Sequence, residues 1–92
     1  MDELENLQDR RALLVVLLRA AEAPDAVMRA VQRASGGRDT VLQEIARELE
    51  VNEFWAEAIA ELPVSRFSTA SVLSLRQELA ELEARIRTMQ AS

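Results

Sequence analysis

The amino-acid sequence predicts an all-α domain of four to five helices. The first and last helices are expected to pair antiparallel, as a short coiled-coil stub. Three observations lead there. Apolar residues recur at helical spacing through long segments, and no segment shows the strict alternation of a strand. Breakers are few: Gly36 and Gly37 are the only glycines, Pro24 and Pro63 the only prolines, and they divide the chain at three places. Lastly, Val72, Leu75, Leu79, Leu82, Ile86 and Met89 are spaced three, four, three, four and three apart, a heptad seam. Glu81 and Glu83 stand four residues before Arg85 and Arg87, the favourable order for pairing along a helix. So narrow an apolar stripe requires a partner helix.

The first helix starts at Asp2, whose carboxylate can cap it, with Glu5 at capping-box spacing. It runs to about Ala21. Leu4, Leu7, Leu14 and Leu18 share one face with Arg11, while Leu13, Val16, Leu17 and Ala20 fill another. A helix that becomes apolar nearly all round is buried on several sides. Pro24 opens the second helix, where its missing N–H costs nothing. This helix runs to about Ala34 with Val27, Ala30, Val31 and Ala34 inward. Ser35-Gly36-Gly37 is a turn. It is no phosphate loop, because no strand precedes it and no Lys follows.

Asp39 or Thr40 starts the third helix, with Leu42, Ile45, Ala46 and Leu49 inward. Glu50-Val51 forms a tight turn, and Asn52 caps a fourth helix that Pro63 ends. Val64-Ser65-Arg66-Phe67 reads as a short extended link. Ser68 or Ser71 caps the last helix. There is no internal repeat and no low-complexity tract.

Composition narrows the function. Ninety-two residues make one small domain, spanning residues 1–92. A chain of this size hides only about 60–65% of its unfolded surface, so oligomerisation is a common remedy. With no Cys, disulfides are not available. Hydrophobic residues at 49% and charged ones at 29% argue against disorder. Eleven Arg face sixteen acidic residues, and the net charge of −5 disfavours binding to phosphate backbones. The chain lacks His, Cys, Tyr and Lys, which removes the usual zinc ligands, the common general base and the thiol and phenol nucleophiles. No catalytic residue, cofactor or metal is expected. Ser65, Ser68, Ser71 and Ser74 have no candidate base. Glu44/Glu48 and Glu57/Glu61 lie at i,i+4 and read as solvated helix faces. Ala12 to Leu18 is apolar, but seven residues cannot span a bilayer. A soluble cytoplasmic protein is expected, and Met1 with a capping Asp2 favours a natural start.

Residues 40–62 have the pattern of a helix-turn-helix. Ala46, Leu49 and Val51 stand where that motif wants a small residue and two core residues. A small DNA-binding regulator is therefore the alternative reading. Against it, Glu50 replaces the usual Gly, and the would-be recognition helix carries Glu53, Glu57 and Glu61 with no Arg or Lys.

The order of features from Leu13 onward resembles the C-gate dimerisation region of type IIA topoisomerases, the DNA gyrase A subunit and its topoisomerase IV counterpart. In that family a coiled-coil helix enters an Ile-Leu-Glu-Gly-Leu-Leu-type run, then an Ile-Asp-Glu-Val-Ile-type helix. A Phe-Gly-Leu-Ser-Glu-type helix, an Arg-Leu-Thr-type turn and a long returning helix follow. Here Leu13-Leu14 and Leu17-Leu18 match the first run, and Asp25 and Val27 the second. Leu49, Val51, Asn52, Glu53, Ala56, Ala58 and Ile59 match the third without a gap. Leu62, Val64, Arg66, Phe67 and Ser68 match the turn, and Leu75, Leu79 and Leu82 the returning helix. The likeness covers roughly residues 10 to 88, and Val51 to Ser68 is its specific part. Glu50 and Pro63 depart from the family pattern.

The resemblance implies a gate-like homodimer, not a topoisomerase, since the catalytic Tyr and the ATPase region are missing. Phe54, Trp55, Leu62, Val64 and Phe67 are the expected dimer interface. Val72, Leu75, Leu79, Leu82, Ile86 and Met89 are the expected helix-pair seam. The expected partner is a second copy of the chain, with gyrase or another helical protein as an elaboration.

Overall fold

The computed structural model describes residues 2–91. It contains five α-helices and one 3₁₀ turn, and no strand among the described residues: α1 Glu3–Glu22, α2 Pro24–Arg33, α3 Arg38–Leu49, α4 Glu53–Ala60, the 3₁₀ turn Val64–Phe67, and α5 Thr69–Ala91. The helical segments lie in two bodies that share α1. One is an arm, in which α5 lies antiparallel along α1. The other is a head, in which α3 packs on α2 and α4, and these two pack on α1.

The arm is built from two matched seams. On α1, Leu4, Leu7, Leu14, Leu18 and Ala21 face α5. Arg11 occupies the same series and pairs across the helices with Glu83 at 3.0 Å. On α5, all six seam residues pack against α1, with Leu75, Leu82 and Ile86 buried and Val72, Leu79 and Met89 half-buried beside them. The charges confirm the direction. Glu3 meets Arg85 at 3.4 Å, Arg10 meets Glu78, and Glu22 meets Arg76 at 2.5 Å. Here the pattern departs from the expected intrahelical pairs: Arg85 and Glu83 reach across to α1. Cross-helix neighbours stand as close as those one turn away, and they fix the register as well.

The second face of α1 enters the head. Val16 and Ala20 join Val27, Ala30, Leu42, Ile45, Leu49, Ala56 and Ile59 in one core. Three of its fully enclosed residues, Ala20, Ala30 and Ala56, are alanines at 0% exposure. Side chains that small let three helices meet closely.

Each connection has a local cause. Asp2 accepts a hydrogen bond from the Leu4 amide at 3.2 Å and caps α1. Ala23 alone separates α1 from α2, and Pro24 takes the first helical position. Helix α3 starts at Arg38, one residue before the expected start. The Thr40 hydroxyl accepts from the Gly36 amide and donates to the Gly37 carbonyl, tying the turn to the first helical residues. Glu50 ends α3 in the left-handed region at φ 55, and the Val51 amide reaches back to the Ala46 carbonyl at 3.0 Å. That is a Schellman-type end, with Glu where Gly is easiest. Arg19 of α1 donates to the Leu49 carbonyl and helps satisfy the same helix end. Asn52 caps α4, accepting from the Trp55 amide at 2.9 Å.

Val64–Phe67 is a 3₁₀ turn and not an extended link. Pro63 holds φ at −65°, and its carbonyl accepts from the Arg66 amide at 2.9 Å. The chain thus gains a turn in a stretch without a helical pattern long enough to read. Ser68 caps α5, accepting from the Ser71 amide at 3.1 Å.

The result is elongated. The radius of gyration is 14.7 Å, against about 12 Å for a compact chain of this length. The extents are 50 × 29 × 17 Å, the long axis being set by the arm. No helix among the described residues is long and apolar enough to cross a membrane.

Candidate interaction site

The head leaves a groove between α2, the start of α3, the end of α4 and the 3₁₀ turn. Val27, Ile45 and Ile59 form its floor and belong to the head core. Met28, Val31 and Val64 form its rim at 54%, 38% and 87% exposure. Leu62 and Phe67 line it from the wall. The groove encloses about 570 Å³. Arg38 is its one charged lining residue, and its guanidinium is held by Glu61 at 2.8 Å and Glu57 at 3.8 Å. The site can bind apolar surface. None of its lining residues carries a carboxylate or a hydroxyl.

The expected interface residues divide into two groups. Leu62, Val64 and Phe67 come together in this groove. Phe54 and Trp55 sit elsewhere, in a notch against Leu13 of α1. Phe54 is 73% exposed, while Trp55, Leu62 and Phe67 are half-buried and pack on the head core. Adjacent residues on α4 point about 100° apart, so Trp55 turns toward the core and Phe54 outward. The Phe54 and Trp55 rings meet edge to face at 5.0 Å and 75°.

Two rim residues escaped the sequence reading. Val31 was expected inside and stands on the rim; Met28 was not singled out. The signal was available, since Pro24, Met28 and Val31 follow helical spacing one step round from Val27. Val27 and Ala30 are buried in the head core, while Met28 and Val31 stand exposed at the groove edge.

The acidic i,i+4 pairs are engaged by arginines. Arg33 of α2 donates to Glu44 at 3.1 Å and Glu48 at 2.7 Å of α3, and Arg29 adds a longer contact to Glu48. The hydrogen bond from Arg33 holds the Glu48 carboxyl below its ordinary pKa, and the same bonds raise that of Arg33. This cluster clamps α2 to α3 behind the groove. Among the described residues, no group of His, Cys, Asp or Glu is arranged to hold a metal.

No protein-family model, curated protein or solved structure matches this chain.

Proposed function

We propose that this chain is a non-catalytic homodimerisation and protein-interaction module, and that two copies pair through the groove about a two-fold axis. The observation that carries this reading is the rim of Met28, Val31 and Val64, large apolar side chains left in water around an apolar floor. Exposed apolar surface gathered in one place marks an association site. Two-fold pairing lets the same patch serve both subunits, and a standard interface buries about 800 Å² on each. The likeness to the type IIA topoisomerase C-gate supports the same end of the molecule, because Val51 to Ser68 supplies α4, Leu62 and the 3₁₀ turn. A gyrase A subunit presenting its own gate is the elaboration of this reading.

The DNA-binding alternative draws on the succession of α3 and α4, joined through the left-handed Glu50 and the Asn52 cap. Helix α4 carries Glu53 and Glu57 and no basic residue, so phosphates would be repelled.

Sedimentation equilibrium at micromolar concentration tests the proposal. The expected mass is twice the 10.3 kDa of one chain. Val64→Asp should give the monomer with unchanged helical circular dichroism, since Val64 lies outside both cores. A native chain that stays monomeric would overturn the proposal.

A further inference from the structure

We infer a second docking site, at the notch between α1 and α4, that takes a basic amphipathic helix of another protein. It is separate from the groove and rests on different residues. Its apolar part is Leu13, Trp55 and the ring of Phe54, and the notch encloses about 440 Å³. Phe54 is 73% exposed, the most open aromatic side chain in the molecule. Its ring meets that of Trp55 edge to face at 5.0 Å beside the notch. An exposed aromatic ring packed on a second one offers a partner side chain a large apolar anchor.

Charge selects the partner. Asp9, Glu57 and Glu61 line the notch, Glu61 being paired with Arg38 at 2.8 Å, and Glu53 stands just outside that lining, before Phe54 on the exposed side of α4. Among the described residues, Asp9 and Glu53 have no ion-pair partner. Glu57 has only the 3.8 Å approach of Arg38, with both side chains largely in solvent. The single cation in the lining, Arg10, is taken by Glu78. The notch therefore presents carboxylates without a free positive group. Glu53 and Glu57 are one helical turn apart, so Lys or Arg at i and i+4 of a facing helix would meet both, while an apolar residue between them reaches Phe54 and Leu13. A second copy of this chain carries a net charge of −5 and is repelled here, as is nucleic acid.

Trp55 is the only tryptophan, so its emission reports directly on the notch. The probe is a leucine–lysine amphipathic peptide about five helical turns long, titrated into the full chain. A saturable change in Trp55 emission is expected, and it should weaken as salt is raised. A leucine–glutamate peptide of the same pattern should give none. Phe54→Ala should weaken binding about tenfold or more while its circular dichroism stays helical, and Glu53→Lys with Glu57→Lys should abolish it. Val64→Asp should bind the peptide as the parent does, which separates this site from the dimerisation reading.

The inference is overturned by no saturable change or by equal binding of the acidic peptide. Undiminished binding by folded Phe54→Ala overturns it as well. So does an emission change on concentrating the Val64→Asp chain alone, which would make a second copy the occupant of the notch.

Discussion

The arm and the head solve the same burial problem with different materials. The arm hides large side chains: Leu7, Leu14, Leu75, Leu82 and Ile86 lie between two antiparallel helices. Ion pairs cross on its flanks, from Glu3–Arg85 at one end to Glu22–Arg76 at the other. The head hides small ones at its tightest points. Ala20, Ala30 and Ala56 have no exposed surface, and only Ile45 among the larger residues is enclosed as fully. A two-helix seam has room for interlocking side chains along its length. Where α1, α2, α3 and α4 converge, backbones approach and volume is scarce. The two bodies should therefore fail in opposite ways, the arm when a side chain shrinks and the head when one grows.

The largest effect is expected from removing volume in the arm. Leu75, at 1% exposure, stands near the end of the seam closest to the head. Leu75→Ala should cost about 3–4 kcal/mol by lost transfer energy and cavity formation, measured by urea unfolding. A loss under about 1 kcal/mol would mean that the site collapses freely and that the arm is loosely packed.

Adding volume to the head comes next. Ala30→Leu should cost about 2–3 kcal/mol through overpacking. The matched change on the arm, Ala80→Leu at an exposed position, should stay within about 0.5 kcal/mol. Equal costs at the two positions would mean that Ala30 is not tightly enclosed.

A smaller change of opposite sign is expected at the α3–α4 corner. Glu50 has the only positive φ found at a non-glycine residue among those described. Glu50→Gly should stabilise the head by about 0.5–1 kcal/mol, as relief of the left-handed conformation outweighs added chain entropy. A loss of stability would show that the Glu50 side chain contributes something its conformational strain conceals.

The smallest effect concerns pH. Arg33 lowers the Glu48 pKa in the folded chain. The unfolded state then binds the proton at higher pH than the folded state does. Stability from this pair is complete above the ordinary Glu pKa and lost as pH falls through the depressed folded value. Stability curves of the parent and Arg33→Gln should accordingly converge on acidification, by equilibrium unfolding at a series of pH values. Parallel curves would remove Arg33 as the cause.

The arm was far more legible in the sequence than the head. A heptad states its own partner face, and the six seam residues from Val72 to Met89 all pack where their spacing placed them. The two faces of α1 were readable for the same reason. Helix caps at Asp2 and Asn52 followed from residue type alone, since a short acceptor side chain before an apolar run has few other uses. The candidate interface was only half legible. Phe54, Trp55, Leu62, Val64 and Phe67 are close in sequence, yet they open into two sites, because α4 turns its residues through 100° steps and the 3₁₀ turn then redirects the chain.

What the residue order decides by itself is the set of helices, their ends and the apolar stripe each must hide, because periodicity, capping and breakers act within a few residues. The tertiary structure alone decides which stripes are covered. Val31 and Met28 are as apolar as the buried residues beside them, and they stand in solvent because α2 turns them toward the open groove, while Val27 and Ala30 face the head core. Likewise, Glu83 and Arg85 choose partners on α1, a choice made by the register of two helices far apart in the chain. Coverage depends on where distant elements end in space, and local pattern carries no record of that.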